Sequence, residues 1–163
     1  MATKTHSFTS RQKMRTNTFE VFHYKDTHMT EVALHHHDFY EVYFFLSGNV
    51  SYNIESRSYL LTSGDVLLMA PDELHQPIFS PDQQNYERIV LWINKNFLEQ
   101  FDMAGNPVSR CFDTESPSHI NLIRPDGNSR ELLYFLMMQL LSESRSVAYA
   151  SELYSMATLA QIL

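Results

Sequence analysis

What most limits the fold of this chain is a series of short runs of apolar, β-branched and aromatic residues between Phe19 and Trp92, each broken after a few residues by a turn signal. Residues 19–24 form the first run and residues 41–46 (EVYFFL) a stronger one, ended by Ser47-Gly48-Asn49, where Gly48 can adopt a positive φ without steric cost. Residues 50–54 return as a hairpin partner, and a reversal at residues 55–57 leads into Tyr59-Leu60-Leu61. Thr62-Ser63-Gly64-Asp65 then opens residues 66–69. Pro71-Asp72-Glu73 stops that run, because proline removes a ladder donor and acidic residues are disfavoured in strands. Ile78-Phe79 and residues 87–93 complete the series. Seven or so short strands with tight turns predict a sandwich or a small barrel.

Beyond Asn94 the apolar period changes from two to about 3.6. A short helical piece is expected at residues 96–101, and residues 111–125, with Pro117 and no clear period, read as an irregular connection. A helix is expected from Asn128 or Ser129 as N-cap, carrying Leu132, Leu133, Phe135, Leu136, Met137, Leu140 and Leu141, and residues 142–146 read as a turn. A second helix follows, with Tyr149, Leu153, Met156, Ala160 and Leu163 forming one apolar stripe. The helices either cap the sheet or keep an apolar face for a second subunit. The pattern runs to Gln161-Ile162-Leu163 without a stop signal, so the chain is expected to be a piece of a longer protein. Its organisation is then an arm at residues 1–17, a β-domain at 18–101, and a connection with helices at 102–163.

At 163 residues, 44% of them hydrophobic and 19% charged, the chain has the material for one buried core and not the composition of a disordered segment. Its formal net charge of −7 makes it a poor partner for phosphate backbones or anionic lipid. No run reaches the roughly 18 apolar residues of a membrane helix, and the polar, basic N-terminus lacks the apolar core of a signal peptide. The single cysteine, Cys111, forms no intrachain disulfide, and a cytoplasmic location is expected.

Three adjacent histidines, His35, His36 and His37, carry the functional argument. On a strand, His35 and His37 share a face and His36 takes the other, exposed one. A straight continuation would place Glu41 about 13 Å beyond His37 at about 3.3 Å per residue, too far to share a metal. A common site therefore requires a bend at Asp38, Phe39 and Tyr40. His75, past the Pro71 turn, could return to the same interior. Three imidazoles and one carboxylate suit zinc, nickel, iron or manganese rather than calcium or magnesium. Histidine runs also occur on surfaces, and a lone histidine is often only a hydrogen-bonded turn residue, so spacing alone leaves both readings open.

The run His35-His36-His37-Asp38-Phe39-Tyr40-Glu41, with Gly48 beyond it, resembles the first motif of the cupins, and residues 64–75, from Gly64 to His75, resemble the second. Ala70, Asp72 and Phe79 depart from the residues usual in that second motif. The HDFYE and GDVLLMAP wording and the strand Tyr86-Glu87-Arg88-Ile89-Val90-Leu91 are similar to the N-terminal effector domain of AraC-type transcription regulators. The resemblance implies a mainly β, cupin-type double-stranded β-helix, or jelly-roll barrel, followed by two C-terminal helices. It further implies a small-molecule effector such as a sugar or an organic acid, a homodimer formed through the helices, and DNA contact only through a further C-terminal domain. His35, His37, Glu41 and His75 are the implied metal ligands, and His37, Glu41, Tyr43 and Phe45 the implied effector contacts, the last two sharing Glu41's strand parity. A small metal-dependent cupin enzyme, an isomerase or dioxygenase, would use the same residues; the helical tail favours the non-enzymatic sensor.

Overall fold

The computed structural model of the chain describes residues 12–27, 29, 31–82, 85–101 and 107–163. Among the described residues, eight strands form two separate antiparallel sheets: β1 (Phe19–Thr27), β2 (Tyr40–Ser47), β3 (Val50–Ile54), β4 (Arg57–Leu60), β5 (Val66–Met69), β6 (His75–Phe79), β7 (Asn85–Ile93) and β8 (Leu122–Ile123). One sheet runs β1-β7-β2-β5-β8 and the other β4-β3-β6. The helices are α1 (Lys95–Glu99), α2 (Gly127–Glu143) and α3 (Ser151–Ile162), with a 3₁₀ turn at Val108–Phe112. The result is the expected mainly β, cupin-type double-stranded β-helix with helices at its C-terminal end.

Both faces of the five-stranded sheet are buried, and this explains why β2, β5 and β7 read as near-continuous apolar runs. Their inward residues, including Tyr43, Phe45, Leu67, Met69, Val90 and Trp92, form a core between the two sheets. The intervening residues, Val42, Phe44, Val66, Leu68, Ile89 and Leu91, point outward and pack against Met137, Leu140, Leu141 and Leu159 of the helices. The three strands that carry the inner wall therefore also carry the helices on their backs. Tight turns make this possible: Gly48 and Gly64 both have positive φ, as does Asp72 at the turn before β6.

Several expectations need correction. The supposedly irregular stretch contains β8, which pairs with β5 through Val66 and Leu67, and part of the 3₁₀ turn. Helix α2 is capped by Asp126, whose side chain accepts from the Ser129 backbone N–H, so it begins before Asn128 and continues through Glu143 where a turn was expected. In α3 the apolar stripe is only partly the buried face: Met156 and Leu163 pack against the core. Tyr149 lies outside the helix, Leu153 is 68% exposed, and the residues that bury are Ser155, Thr158 and Leu159. Small side chains allow α3 to approach α2 closely, and Gln139 Nε2 donates to Thr158 Oγ1 at 3.1 Å. In the N-terminal arm, residues 1–11 lie outside the described residues, as do residues 102–106 of the connection.

Candidate functional site

The histidine run is not a regular strand. His35 forms an isolated backbone bridge with His75, in both directions at 3.2 and 2.8 Å, and His37 O accepts from Asp72 N at 2.8 Å. These bonds clamp the run onto the turn that precedes β6. The chain then bends at Asp38 and Phe39 and enters β2, which brings Glu41 back beside His37. The bend is where the sequence requires it.

His37, Glu41 and His75 converge: one ligand atom from each lies within 4.8 Å of the others, and all three residues are buried. His35 is not a member of that group. Its ring lies 4.4 Å from the His75 ring and 6.4 Å from that of His37, so it stands beside the group, on the wall of a cavity that Glu41 also lines. His36 faces solvent with a side chain 59% exposed, 3.7 Å from Asp72.

The hydrogen bonds fix the tautomers. His35 Nδ1 is 2.7 Å from Ala33 O, His37 Nδ1 is 2.9 Å from Phe39 O, and His75 Nδ1 is 2.8 Å from Glu73 O. A carbonyl oxygen only accepts, so each Nδ1 carries the proton and donates it. Every Nε2 is thereby left to accept a proton or a metal, the arrangement by which backbone carbonyls orient metal-bound imidazoles. His37 Nε2 lies 3.1 Å from Glu41 Oε2, a contact that needs a proton or a cation between the two acceptors. His75 Nε2 is buried with no hydrogen-bond partner. An unsatisfied buried nitrogen costs about 1–3 kcal/mol, and a bound cation would satisfy it.

The electrostatics agree with this donor set. Burial raises the Glu41 carboxyl, but the hydrogen bond and charge of His37, the charge of His75 and the Trp92 bond outweigh it and leave the group below its ordinary value. Burial lowers His75 to about 4, which keeps its imidazole neutral and able to ligate at neutral pH. Trp92 sits opposite Glu41 in the β2–β7 register and donates from Nε1 to Oε2 at 2.8 Å.

Behind this group lies a cavity of about 50 Å³ lined by Tyr24, His35, Glu41, Tyr43, Tyr52, Tyr86, Arg88 and Trp92, with Gln12 and Val32 also on its wall. Tyr43 and Tyr86 share a hydroxyl–hydroxyl bond of 2.5 Å. Of the expected effector contacts, Glu41 and Tyr43 line the cavity. Phe45 is buried in the core between the sheets and is not on the cavity wall. Sequence reasoning missed Tyr24, Tyr52, Tyr86, Arg88 and Trp92; alternation along β7 puts Tyr86, Arg88 and Trp92 on one face, but nothing in the sequence says which face that is.

The site and the two-sheet fold define a ligand-binding β-barrel domain. Residues 20–158 match the model of the AraC-like ligand binding domain, and the chain belongs to that family. No curated protein matches the sequence. Among solved structures, the DMSP lyase DddQ from Ruegeria pomeroyi is 18% identical over 49% of this chain and 40% of that one, with a TM-score of 0.43. The match thus spans well under half of the lyase. A cupin 2 conserved barrel domain protein from Salinispora arenicola is 20% identical over 53% of this chain and 73% of its own, with a TM-score of 0.42. A cupin protein from Bacteroides fragilis is 20% identical over 64% and 92%, with a TM-score of 0.44. Among the described residues, no helix is long and apolar enough to cross a membrane.

Proposed function

We propose that this domain is the sensing and dimerisation part of a cytoplasmic transcription regulator. In this reading residues 1–17 are an N-terminal arm, the barrel at 18–101 holds the effector, and the helical segment at 102–163 joins two copies. DNA contact belongs to a separate domain of the full-length regulator. His37, Glu41 and His75 hold a divalent transition metal, zinc, nickel, iron or manganese, with His35 beside them. The observation that carries the metal is the buried, unpartnered His75 Nε2 aimed among the other two donors. When bound, the metal supplies a Lewis acid with open positions for an effector oxygen.

Transmission to the helices follows from strand alternation. Glu41 and Tyr43 face the cavity, while Val42 and Phe44 of the same strand pack outward in the core shared with α2 and α3. An effector that shifts β2 also shifts the surface on which the helices rest. For this to be allostery, the effector must bind the two helix arrangements with different affinities. The helices expose Leu132, Phe135, Leu153 and Tyr154, an apolar surface suited to a second copy.

The family supports regulation over catalysis, although the two-histidine, one-carboxylate set is also that of non-haem iron oxygenases. The test is a thermal-shift screen of sugars and organic acids on the zinc-loaded domain, followed by calorimetry of hits against Glu41→Ala. Stoichiometric binding that is lost in Glu41→Ala, with no turnover of the compound, supports the reading. Unchanged affinity in Glu41→Ala removes Glu41 from the site.

A further inference from the structure

Arg88 is a charged residue of the cavity wall to which the proposed function gives no role. It sits on β7 with a side chain only 3% exposed. Its guanidinium lies 4.0 Å from the centre of the Tyr86 ring and 4.7 Å from that of Tyr24, contacts that hold the planar group in one orientation. Nη1 donates to Asp26 Oδ2 and, at 3.3 Å, to Tyr86 O. Asp26 thus compensates the charge and fixes the side chain, and Arg88 still forms part of the wall of the cavity shared with Glu41.

The charges in and around this cavity can be counted. Arg88 contributes one positive charge and Asp26 and Glu41 one negative charge each, and without a metal the proton that the His37 Nε2–Glu41 Oε2 contact requires brings the sum to zero. A divalent ion on His37, Glu41 and His75 takes the place of that proton and leaves one positive charge, which a monoanion would neutralise. Arg88 and the metal-group member Glu41, with its partner Trp92, line the same cavity. The space between their side chains is limited. A cavity of about 50 Å³ is small beside ligand pockets of about 300–1,000 Å³ and suits a compact ligand.

We propose that the effector is a small monocarboxylate bearing a hydroxyl or oxo group, its carboxylate directed to Arg88 and its second oxygen to the metal end of the cavity. This rests on the reading of the barrel as a metal-holding effector pocket. It names the effector class and makes metal and effector binding mutually reinforcing. Arg88 becomes the specificity-determining residue, because a planar guanidinium recognises a carboxylate better than its neutral amide.

The experiment compares lactate with lactamide, which has the same shape without the charge, and with a pentose, by calorimetry on the zinc-loaded and metal-free domain. The expected result is that lactate binds the zinc-loaded domain about tenfold or more tightly than lactamide, a difference of one charge-assisted contact, and that zinc removal weakens lactate. The Asp26→Asn/Arg88→Met double variant removes both charges together, so it avoids leaving Asp26 buried and unpaired. It is expected to melt cooperatively, to keep zinc and to lose the preference for lactate. Equal binding of lactamide, preferential binding of the pentose, or a preference for lactate that survives in the folded double variant would overturn the assignment. Zinc binding without binding of any probe overturns the effector class and leaves the metal site standing. Failure to bind zinc removes the metal reading itself.

Discussion

The depressed basicity of His75 makes a quantitative demand on the metal-free domain. Burial, reinforced by the neighbouring His37 and His35 and opposed by Glu41, takes the imidazole from 6.5 to about 4 on folding. Between those values the unfolded chain binds a proton that the folded one does not, so acid favours unfolding. The stability is fully present above about pH 6.5, is lost as the pH falls toward 4, and levels off once the folded state also takes the proton. The full difference amounts to about 3 kcal/mol, of which about 2 kcal/mol is lost between about pH 7 and about pH 5. His75→Asn has no such proton, and its amide can still donate to the Glu73 carbonyl. Urea denaturation of the chelator-treated domain at the two pH values, wild type against variant, isolates the contribution. Wild type should lose about 2 kcal/mol more than the variant. Parallel losses in the two proteins would show that His75 is not held as a buried neutral imidazole.

Trp92→Phe removes the Nε1 donor to Glu41 and should cost about 1–3 kcal/mol by urea denaturation, with the Glu41 carboxyl titrating higher; no change in either would show that the bond is not formed in solution. Leu140→Ala, a fully buried position between the helices and the five-stranded sheet, should destabilise by about 2–5 kcal/mol. Phe135→Glu, on the exposed face of α2, should leave unfolding nearly unchanged and convert a dimer to a monomer by light scattering; a persistent dimer moves the interface away from α2.

How far the sequence carries depends on how local each determinant is. Strand ends were legible because Gly48, Gly64 and the Pro71-Asp72-Glu73 turn act over a few residues. The bend at Asp38 and Phe39 followed from reach, since His37 and Glu41 could share a site only if the chain turned between them. The cavity wall beyond β2 was not legible. Trp92 meets Glu41, and Arg88 shares its face, only because β7 pairs with β2 in one register, and that register is set by tertiary packing. The failure in α3 has a similar origin. Hydrophobicity nominated Tyr149, Leu153 and Ala160, whereas close helix approach and the Gln139–Thr158 hydrogen bond turn Ser155, Thr158 and Leu159 inward. His35 shows the limit of a motif: its backbone bridges to His75, and that places its imidazole beside the converging group instead of within it.

The claim on which the rest depends is that His37, Glu41 and His75 hold a metal, and it can be tested on protein purified without an affinity tag. Plasma mass spectrometry of the wild type and of His75→Ala, each shown to be folded by circular dichroism, measures it directly. The expected result is a near-stoichiometric transition metal in the wild type that is lost in the variant. A folded wild type that is free of metal and takes up none on dialysis against zinc, nickel, iron or manganese would contradict it.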